Sequence, residues 1–375
     1  MSTPDHVRVP IDMGFIVYND RTYPHLTRLF TELGVPSQES EMSMSVRCLG
    51  CGLEYAGGKR GVGMLARARG SAWPAYLRML TEIPGFHRDA RRFWSETGND
   101  DLTFGRFLAD GGYSRYFVDH FALPLVAAVW SAGERPSMLY PARRLFAFLR
   151  RHGMLTTNMS IPWRTVTGGS RVYVDRIRAQ LGEVREGVTV RTVRRHSDGV
   201  DVVDATDATT RFDRVVIATH ADQALELLAD PTPAEKQILG AFEYSRNEAW
   251  LHTDSSLLPS ARRTRASWNF LKPRCHGGER ALVSYHMNRL MRLNEPVDYV
   301  VTLNGAARVD AASLITSRTY QHPIYTAEAI AAQRRLPELT GPRTVYAGAH
   351  HGWGFHEDGC VSGVEAAEAC GVTWP

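Results

Sequence analysis

The C-terminal segment constrains the fold of this chain more than any other stretch. Thr344–Ala347 is a short apolar run that predicts a strand, Gly348–Gly359 is a loop with four glycines, and Cys360–Ala369 predicts a helix. Glycine carries no side chain, so it lets the backbone approach a flat ligand closely. A helix that begins near Gly359 would direct free N–H groups and the positive end of its dipole at the loop. The pattern therefore predicts either a ligand-binding loop or a structural turn.

The geometry of this loop suits a flavin ring, although spacing alone leaves the structural turn open. The N1–C2 edge of a flavin gains negative charge on reduction, and a helix N-terminus stabilises such charge. A metal cluster is another interpretation of His350, His351, His356 and Asp358. Their spacing matches neither HExxH nor CxxC, so the sequence predicts no metal there.

Other segments predict an α/β fold with a second, inserted domain. Arg214–Thr219 is a continuous apolar run, as expected for a strand buried in a parallel sheet. Gly168–Ser170 opens a predicted helix, which a period-two strand follows at Val188–Val193. The long helical block Trp73–Phe93 is expected to be interrupted near Pro84. Strands that alternate with helices in this way favour an α/β architecture.

Composition excludes several classes of function. The chain has 375 residues, 43% hydrophobic and 22% charged, which is typical of a globular protein with a sizeable core. Its 44 basic and 40 acidic residues are interleaved, which argues against nucleic-acid binding. The longest apolar stretch, Phe121–Trp130, is broken by Pro124 and is too short to span a membrane. The N-terminus shows no secretory pattern, so a cytoplasmic protein is expected.

Two polar clusters need a separate interpretation. Cys48 and Cys51 form a CxxC, but no second CxxC or nearby His pair completes a zinc site and no thioredoxin-like helix follows. The five cysteines are therefore expected to be reduced, and this pair incidental. The second cluster is basic and consists of Arg143, Arg144, Arg150, Arg151 and His152. It predicts a solvated face or, alternatively, a docking surface for an acidic or lipid-like substrate.

The chain resembles the flavin-containing amine oxidase superfamily, and in particular a bacterial branch of predicted NAD/FAD-binding proteins. The resemblance is carried by four stretches in the family's order: Asp12–Pro24, Trp163–Ser170, Ala218–Ala224 and Gly352–Gly359. It implies a FAD-binding domain of the glutathione-reductase-like Rossmann type, interleaved with a mixed α+β substrate domain.

The resemblance also implies roles in FAD binding for individual residues. Twelve residues are assigned to the cofactor: Gly14, Phe15, Val190, Ala218, Thr219, Gly348, Ala349, Gly354, Phe355, His356, Glu357 and Gly359. Gly14 and Phe15 would lie beside the flavin, and Val190 would touch the adenine through its backbone. Ala218 and Thr219 would lie against the adenosine half, and Gly348 and Ala349 against the ribityl chain. The backbone at His356 and Glu357 would meet the flavin ring.

No catalytic acid or base follows from the sequence. His220, His356 and Trp163 adjoin the motifs and are pocket candidates, although each is better explained as a backbone or packing participant. His350 and His351 stand where the branch tends to have aromatic residues, and Met13 where it tends to have Thr, so the pocket is expected to differ.

The family's first unit is missing before Asp12. Relatives begin with a strand, a GxGxxG turn and a helix whose N-terminus neutralises the pyrophosphate. Gly61–Ala66 fits GxGxxA but follows no hydrophobic strand, so it is a poor replacement. The start is therefore expected to be truncated, and FAD binding weakened.

These observations predict a FAD-dependent oxidoreductase that transfers hydride from a C–H bond of a small, hydrophobic substrate to flavin. The alternative is a non-catalytic or truncated relative that has lost tight FAD binding. The predicted organisation has FAD-binding segments at 1–57 (a remnant with the crossover), 165–235 and 341–375, and substrate-domain segments at 58–164 (helix-rich) and 236–340.

Overall fold

A computed structural model describes residues 9–57, 70–96, 102–130, 133–155, 161–277 and 282–374. The helices are α1 Pro24–Glu32, α2 Trp73–Ser95, α3 Phe104–Asp110, α4 Arg115–Phe117, α5 Leu123–Trp130, α6 Glu134–Leu139, α7 Ala142–Arg151, α8 Arg171–Gln180, α9 Ala221–Leu227, α10 Pro233–Leu239, α11 Met287–Leu290, α12 Ala327–Gln333 and α13 His356–Ala369. The strands are β1 Ser37–Ser40, β2 Met44–Cys48, β3 Glu54–Gly57, β4 Trp163–Val166, β5 Val190–Arg195, β6 Val200–Asp204, β7 Thr209–Phe212, β8 Val215–Ile217, β9 Glu243–His252, β10 Trp268–Lys272, β11 Val283–His286, β12 Val300–Leu303, β13 Leu314–Ile324 and β14 Thr344–Tyr346. No described helix is long and apolar enough to cross a membrane.

The largest sheet has seven strands in the order β13-β9-β12-β11-β10-β2-β3. Its neighbours are antiparallel except for β10 and β2, which run parallel from the pair Trp268–Met44 to the pair Lys272–Cys48. The C-terminal ends of these two strands, more than 200 residues apart in sequence, therefore lie side by side.

Helices α2 to α7 pack against this sheet through an aromatic core. Phe86 and Phe146 are fully buried at its centre, with ring centroids 5.9 Å apart. The interruption expected near Pro84 is wrong, because α2 continues through that residue. A proline inside a helix costs about 3 kcal/mol. The burial of Ile83 and Phe86 on either side of it offsets this cost.

The parallel sheet of the described residues consists of β8 and β14, in register from Val215–Thr344 to Ile217–Tyr346. A separate three-stranded antiparallel sheet, β5-β6-β7, packs with α9, α10 and α12 around a shared apolar cluster. The strand predicted over 214–219 is present. The prediction that it is buried on both faces is wrong, because Val216 is 41% exposed. None of the described elements covers the outward face of that residue.

The strand, loop and helix predicted at the C-terminus are all present. The helix begins at His356 rather than near Gly359, because the Asp358 carboxylate caps it by accepting a hydrogen bond from the Phe355 N–H at 2.9 Å. Gly359 consequently lies within the first turn. The free N–H groups at the start of α13 lie one turn nearer the loop than the sequence predicts.

The Cys48–Cys51 pair is not isolated in the fold. The thiol of Cys275 and the imidazole of His120 lie beside it, and the four potential ligand atoms are all within 4.8 Å of one another. The partners come from a loop after β10 and from a π-helical turn, Val118–Ala122, so local sequence spacing could not reveal them. The Gly61–Ala66 motif lies outside the described residues.

Candidate active site

A cavity of about 490 Å³ lies where the N-terminal segment, α7, the large sheet and the glycine loop meet. This volume falls in the range of small-molecule sites. Five of the residues predicted to bind the cofactor line it: Gly14, Phe15, Gly354, Phe355 and His356. Segments separated by more than 300 residues in sequence thus form one wall.

The cavity wall is largely aromatic. Phe148 stacks on Phe355 with ring centroids 5.1 Å apart, and Phe15 stacks on His356 at 3.9 Å. Among the described residues, no Asp, Glu, Lys or Arg side chain lines the cavity. Such walls favour a flat, uncharged ring system, because burying a charge without a partner is costly.

Two histidines in this wall are held neutral. Burial lowers the pKa of His152 to about 4, and it lowers the pKa of His356 to about 4. The Nδ1–H of His152 donates to the carbonyl oxygen of Phe148 at 3.0 Å, which leaves Nε2 as the acceptor. At neutral pH both rings therefore add polarity without adding charge.

The basic cluster of α7 is not a solvated face throughout. The Arg144 guanidinium donates to the carbonyl oxygen of Gly352 at 2.6 Å and to Oε1 of Gln333 at 2.8 Å. It also lies over the rings of Tyr325 and Trp353, 4.5 and 4.6 Å from their centroids. His152 lines the cavity, whereas Arg150 and Arg151 are exposed. Arg144 thus anchors the glycine loop rather than meeting solvent.

Gly354 has a conformation that other residues rarely adopt. Its φ is +93°, and a Cβ placed on it would lie 2.8 Å from the hydroxyl of Tyr325. The loop therefore needs glycine here in order to turn from β14 towards α13 along the cavity.

A second group of predicted residues lies at the carboxyl ends of β8 and β14. Ala218 and Thr219 follow β8, and a Cβ placed on Gly348 would be 3.4 Å from the carbonyl oxygen of Thr219. The Gly348 N–H donates to Oγ of Ser362 at 2.9 Å. Ala349 begins the following 3₁₀ turn. Ligands of open parallel sheets bind at this edge.

Several buried polar atoms next to these groups have no hydrogen-bond partner among the described residues. They include Nε2 of His350 and His351, close to Gly348, and the indole N–H groups of Trp130 and Trp268 in the cavity wall. Burial lowers the pKa of His350 to about 3 and that of His351 to about 4. Unpaired buried polar atoms are rare, and a bound ligand satisfies them. These residues therefore fit a polar, ring-containing cofactor.

The remaining predicted residues lie elsewhere. The carboxylate of Glu357 accepts the backbone N–H groups of His25 and Leu26, both at 3.0 Å, so its side chain joins α13 to α1. Gly359 lies in the first turn of α13. Val190 begins β5 opposite Asp204 and does not line the cavity.

Of the three pocket candidates named from the sequence, two line the cavity and one does not. Trp163 and His356 line the cavity. His220 lies outside its lining and stacks on Tyr244, with ring centroids 4.3 Å apart. Sequence reasoning missed Trp268, Tyr320 and other cavity residues on β10, β11 and β13, because only the assembled sheet brings these strands to the cavity.

Comparison with known proteins supplies an independent finding. A family model described as flavin-containing amine oxidoreductase matches residues 2–371. None of the curated proteins matches the chain.

Solved structures of similar fold span nearly the whole chain. A cyclohexylamine oxidase from Brevibacterium oxydans has a TM-score of 0.62 and 14% identity over 96% of this chain and 87% of that one. A CLA-producing fatty acid isomerase from P. acnes has a TM-score of 0.64 and 12% identity over 98% and 89%. Wild-type putrescine oxidase bound to putrescine has a TM-score of 0.61 and 14% identity over 96% and 88%. Likeness at these identities establishes the fold alone.

Proposed function

The chain belongs to the flavin-containing amine oxidoreductase family, as the sequence resemblance implied, and from that premise we propose that it is a FAD-dependent oxidoreductase. Bound FAD would supply the acceptor for hydride from a substrate C–H bond. The observation that carries the proposal is the convergence of five predicted cofactor residues on one uncharged aromatic cavity beside the first turn of α13.

We assign the flavin ring to the cavity and the adenosine half to the carboxyl edge of β8 and β14. Gly354, Phe355 and His356 would face the ring, and Ala218, Thr219, Gly348 and Ala349 the rest of the cofactor. The unpaired ring nitrogens of His350 and His351 support this assignment, because they offer polar contacts to the nucleotide. Val190 would contact the adenine through its backbone, as the resemblance implies.

The described side chains would contribute orientation and exclusion of water. The aromatic walls would hold an apolar substrate against the ring, which lowers the entropic part of the barrier. Because His152 and His356 are neutral, they would not hold water in the cavity as a charged group would. We therefore propose a small, apolar molecule as the substrate class.

Cofactor binding is tested by incubating the purified full chain with excess FAD, removing free FAD and recording the visible spectrum. The proposal expects retained flavin bands and bleaching with a suitable substrate. Gly354→Ala should weaken FAD binding at least tenfold, since its φ of +93° and the nearby Tyr325 hydroxyl exclude a methyl group. Gly363→Ala is the matched control, because a Cβ placed there meets nothing within 4 Å. A colourless wild-type protein, or equal FAD affinity of the two variants, would contradict the proposal.

One observation favours the alternative, a non-catalytic relative without tight FAD binding. The parallel sheet of the described residues has only two strands, and Val216 on it is 41% exposed. In that case the full chain stays folded but retains no flavin, and the same spectrum distinguishes the two functions.

A further inference from the structure

A cluster of three thiols and one imidazole lies apart from the cavity. Sγ of Cys48 is 3.7 Å from Sγ of Cys275, and Sγ of Cys51 is 3.7 Å from Nε2 of His120. None of the four side chains lines the cavity. His120 and Cys48 are almost completely buried, and the other two are half-buried.

These two separations, of the six among the four atoms, match a tetrahedral zinc site, and all six are within 4.8 Å. Zinc binds sulfur at about 2.3 Å and nitrogen at about 2.0–2.1 Å, and a tetrahedral angle then places two sulfurs about 3.8 Å apart and sulfur and nitrogen about 3.6 Å apart. The observed values differ from these by about 0.1 Å for both pairs. Three cysteines and one histidine are an established ligand set for structural zinc.

The turn that carries the first two ligands is built for close approach of the third. Cys48 ends β2, and the hairpin turn to β3 brings the Sγ of Cys51 within 4.8 Å of the Sγ of Cys48. A Cβ placed on Gly50 would lie 2.9 Å from Sγ of Cys275, so a larger residue would displace that thiol. Gly52 has a φ of +69°, which turns the chain back into β3.

His120 is oriented as a metal-binding histidine would be. Its Nδ1–H donates to the carbonyl oxygen of Tyr116 at 3.1 Å, which fixes the tautomer with the Nε2 lone pair towards Cys51. Its ring stacks on that of Tyr116 with centroids 4.0 Å apart. The residue lies in a π-helical turn, a feature that often marks functional positions.

The residues next to Cys275 and His120 in the sequence, His276 and Asp119, also contact each other. The Nδ1 of His276 is 2.5 Å from the buried carboxylate of Asp119. This contact joins the loop after β10 to the π-helical turn, so Cys275 and His120 are held in place from outside the cluster. Such outer contacts orient the ligands of metal sites.

We propose that Cys48, Cys51, His120 and Cys275 bind one Zn²⁺ ion in a closed structural site. All four positions of a tetrahedral ion would be filled by protein, which leaves none for substrate. On binding, the thiol protons pass to solvent and zinc–sulfur bonds replace the S–H bonds, with no change of oxidation state. The ion would fasten the β2–β3 turn, the loop after β10 and the helical layer to one another.

The test is elemental analysis of the full chain, purified without chelator, together with a count of free thiols after denaturation. The proposal expects about one zinc per chain and five reduced cysteines. Cys51→Ser should lower the zinc content at least tenfold, and Cys370→Ser, outside the cluster, should leave it unchanged. Neither readout depends on flavin, so failure here is distinct from failure of the proposed function.

If Cys51→Ser does not fold, a second measurement on the wild-type chain still tests the proposal. After zinc is exchanged for Co²⁺, the wild-type protein should show the ligand-field and thiolate absorption of a tetrahedral site. A metal-free wild-type protein with five free thiols, even after zinc is supplied, would overturn the proposal. A disulfide between Cys48 and Cys51 or Cys275, or bound iron in place of zinc, would overturn it as well.

Discussion

Glu357 should be one of the residues on which the stability of the C-terminal helix depends. Its side chain is 6% exposed, and its carboxylate accepts both the His25 and Leu26 N–H groups at 3.0 Å and faces the His25 ring at 2.9 Å. Helix α1 has no side-chain cap from its own N-cap residue, Tyr23. Glu357 therefore supplies that cap from a helix more than 300 residues away in sequence.

Glu357→Gln keeps the shape of the side chain but turns one acceptor oxygen into an NH₂ group. One buried N–H then faces a donor, which costs about 1.5–3 kcal/mol for a lost bond to a charged acceptor. The lost negative charge at the N-terminus of α1 adds about 0.3–1 kcal/mol. The free energy of unfolding should therefore fall by about 2–4 kcal/mol. At roughly 1.3 °C per kcal/mol for a chain of 375 residues, Tm should fall by roughly 2.5–5 °C.

Thermal unfolding followed by tryptophan fluorescence measures this change. Glu365→Gln is the matched control, because it removes an exposed carboxylate from the same helix. Its Tm should equal that of the wild-type protein. If both variants unfold at the same temperature, the carboxylate of Glu357 does not join the two helices, and the reasoning is refuted.

Two further predictions concern charge at the cavity. Stability should fall as pH drops from about 6.5 towards 4, because His152 and His356 are neutral when folded, with pKa values lowered to about 4, and take up protons on unfolding. Each contributes up to about 3 kcal/mol. Tm measured at pH 7, 5.5 and 4.5 should show the loss, and His152→Gln should reduce it by the share of His152, because His356, His350 and His351 still take up protons on unfolding. Arg144→Gln should weaken FAD binding about tenfold, because the Gly352 carbonyl oxygen loses a charged donor. Arg150→Gln, which alters an exposed residue of the same helix, should bind FAD as the wild-type protein does.

The sequence predicts local elements well where the chain itself determines them. The C-terminal strand and glycine loop are found where the apolar run and the glycines indicate. The start of α13 differs from the predicted start, because the carboxylate that caps the helix belongs to Asp358, which follows the capped N–H of Phe355 in the sequence. The continuity of α2 through Pro84 differs because packing around Phe86 outweighs a local preference.

Contacts between distant segments could not be predicted in the same way. Gly14 and Phe15 were assigned to the pocket by family resemblance, whereas Trp268 carries no motif and reaches the cavity only through the register of β10. The Cys48–Cys51 pair is incomplete in the local sequence, because His120 and Cys275 lie 69 and 227 residues from the cysteine that each one contacts. Parallel pairing of β2 with β10 brings Cys275 to the pair, and no local spacing encodes it.

The charge of the cavity narrows the substrates that the proposed oxidoreductase can accept. A protonated amine would have to leave water for a wall that has no carboxylate among the described residues. Desolvation of such an ion costs several kcal/mol, whereas a contact with one aromatic face returns about 2 kcal/mol when the ion is desolvated. The proposal therefore expects the cation to bind poorly and an amine to enter mainly as its free base. Each pH unit below the pKa of the amine leaves tenfold less free base, so KM for an amine should rise tenfold per unit. For a neutral apolar substrate, KM should not change with pH in that range.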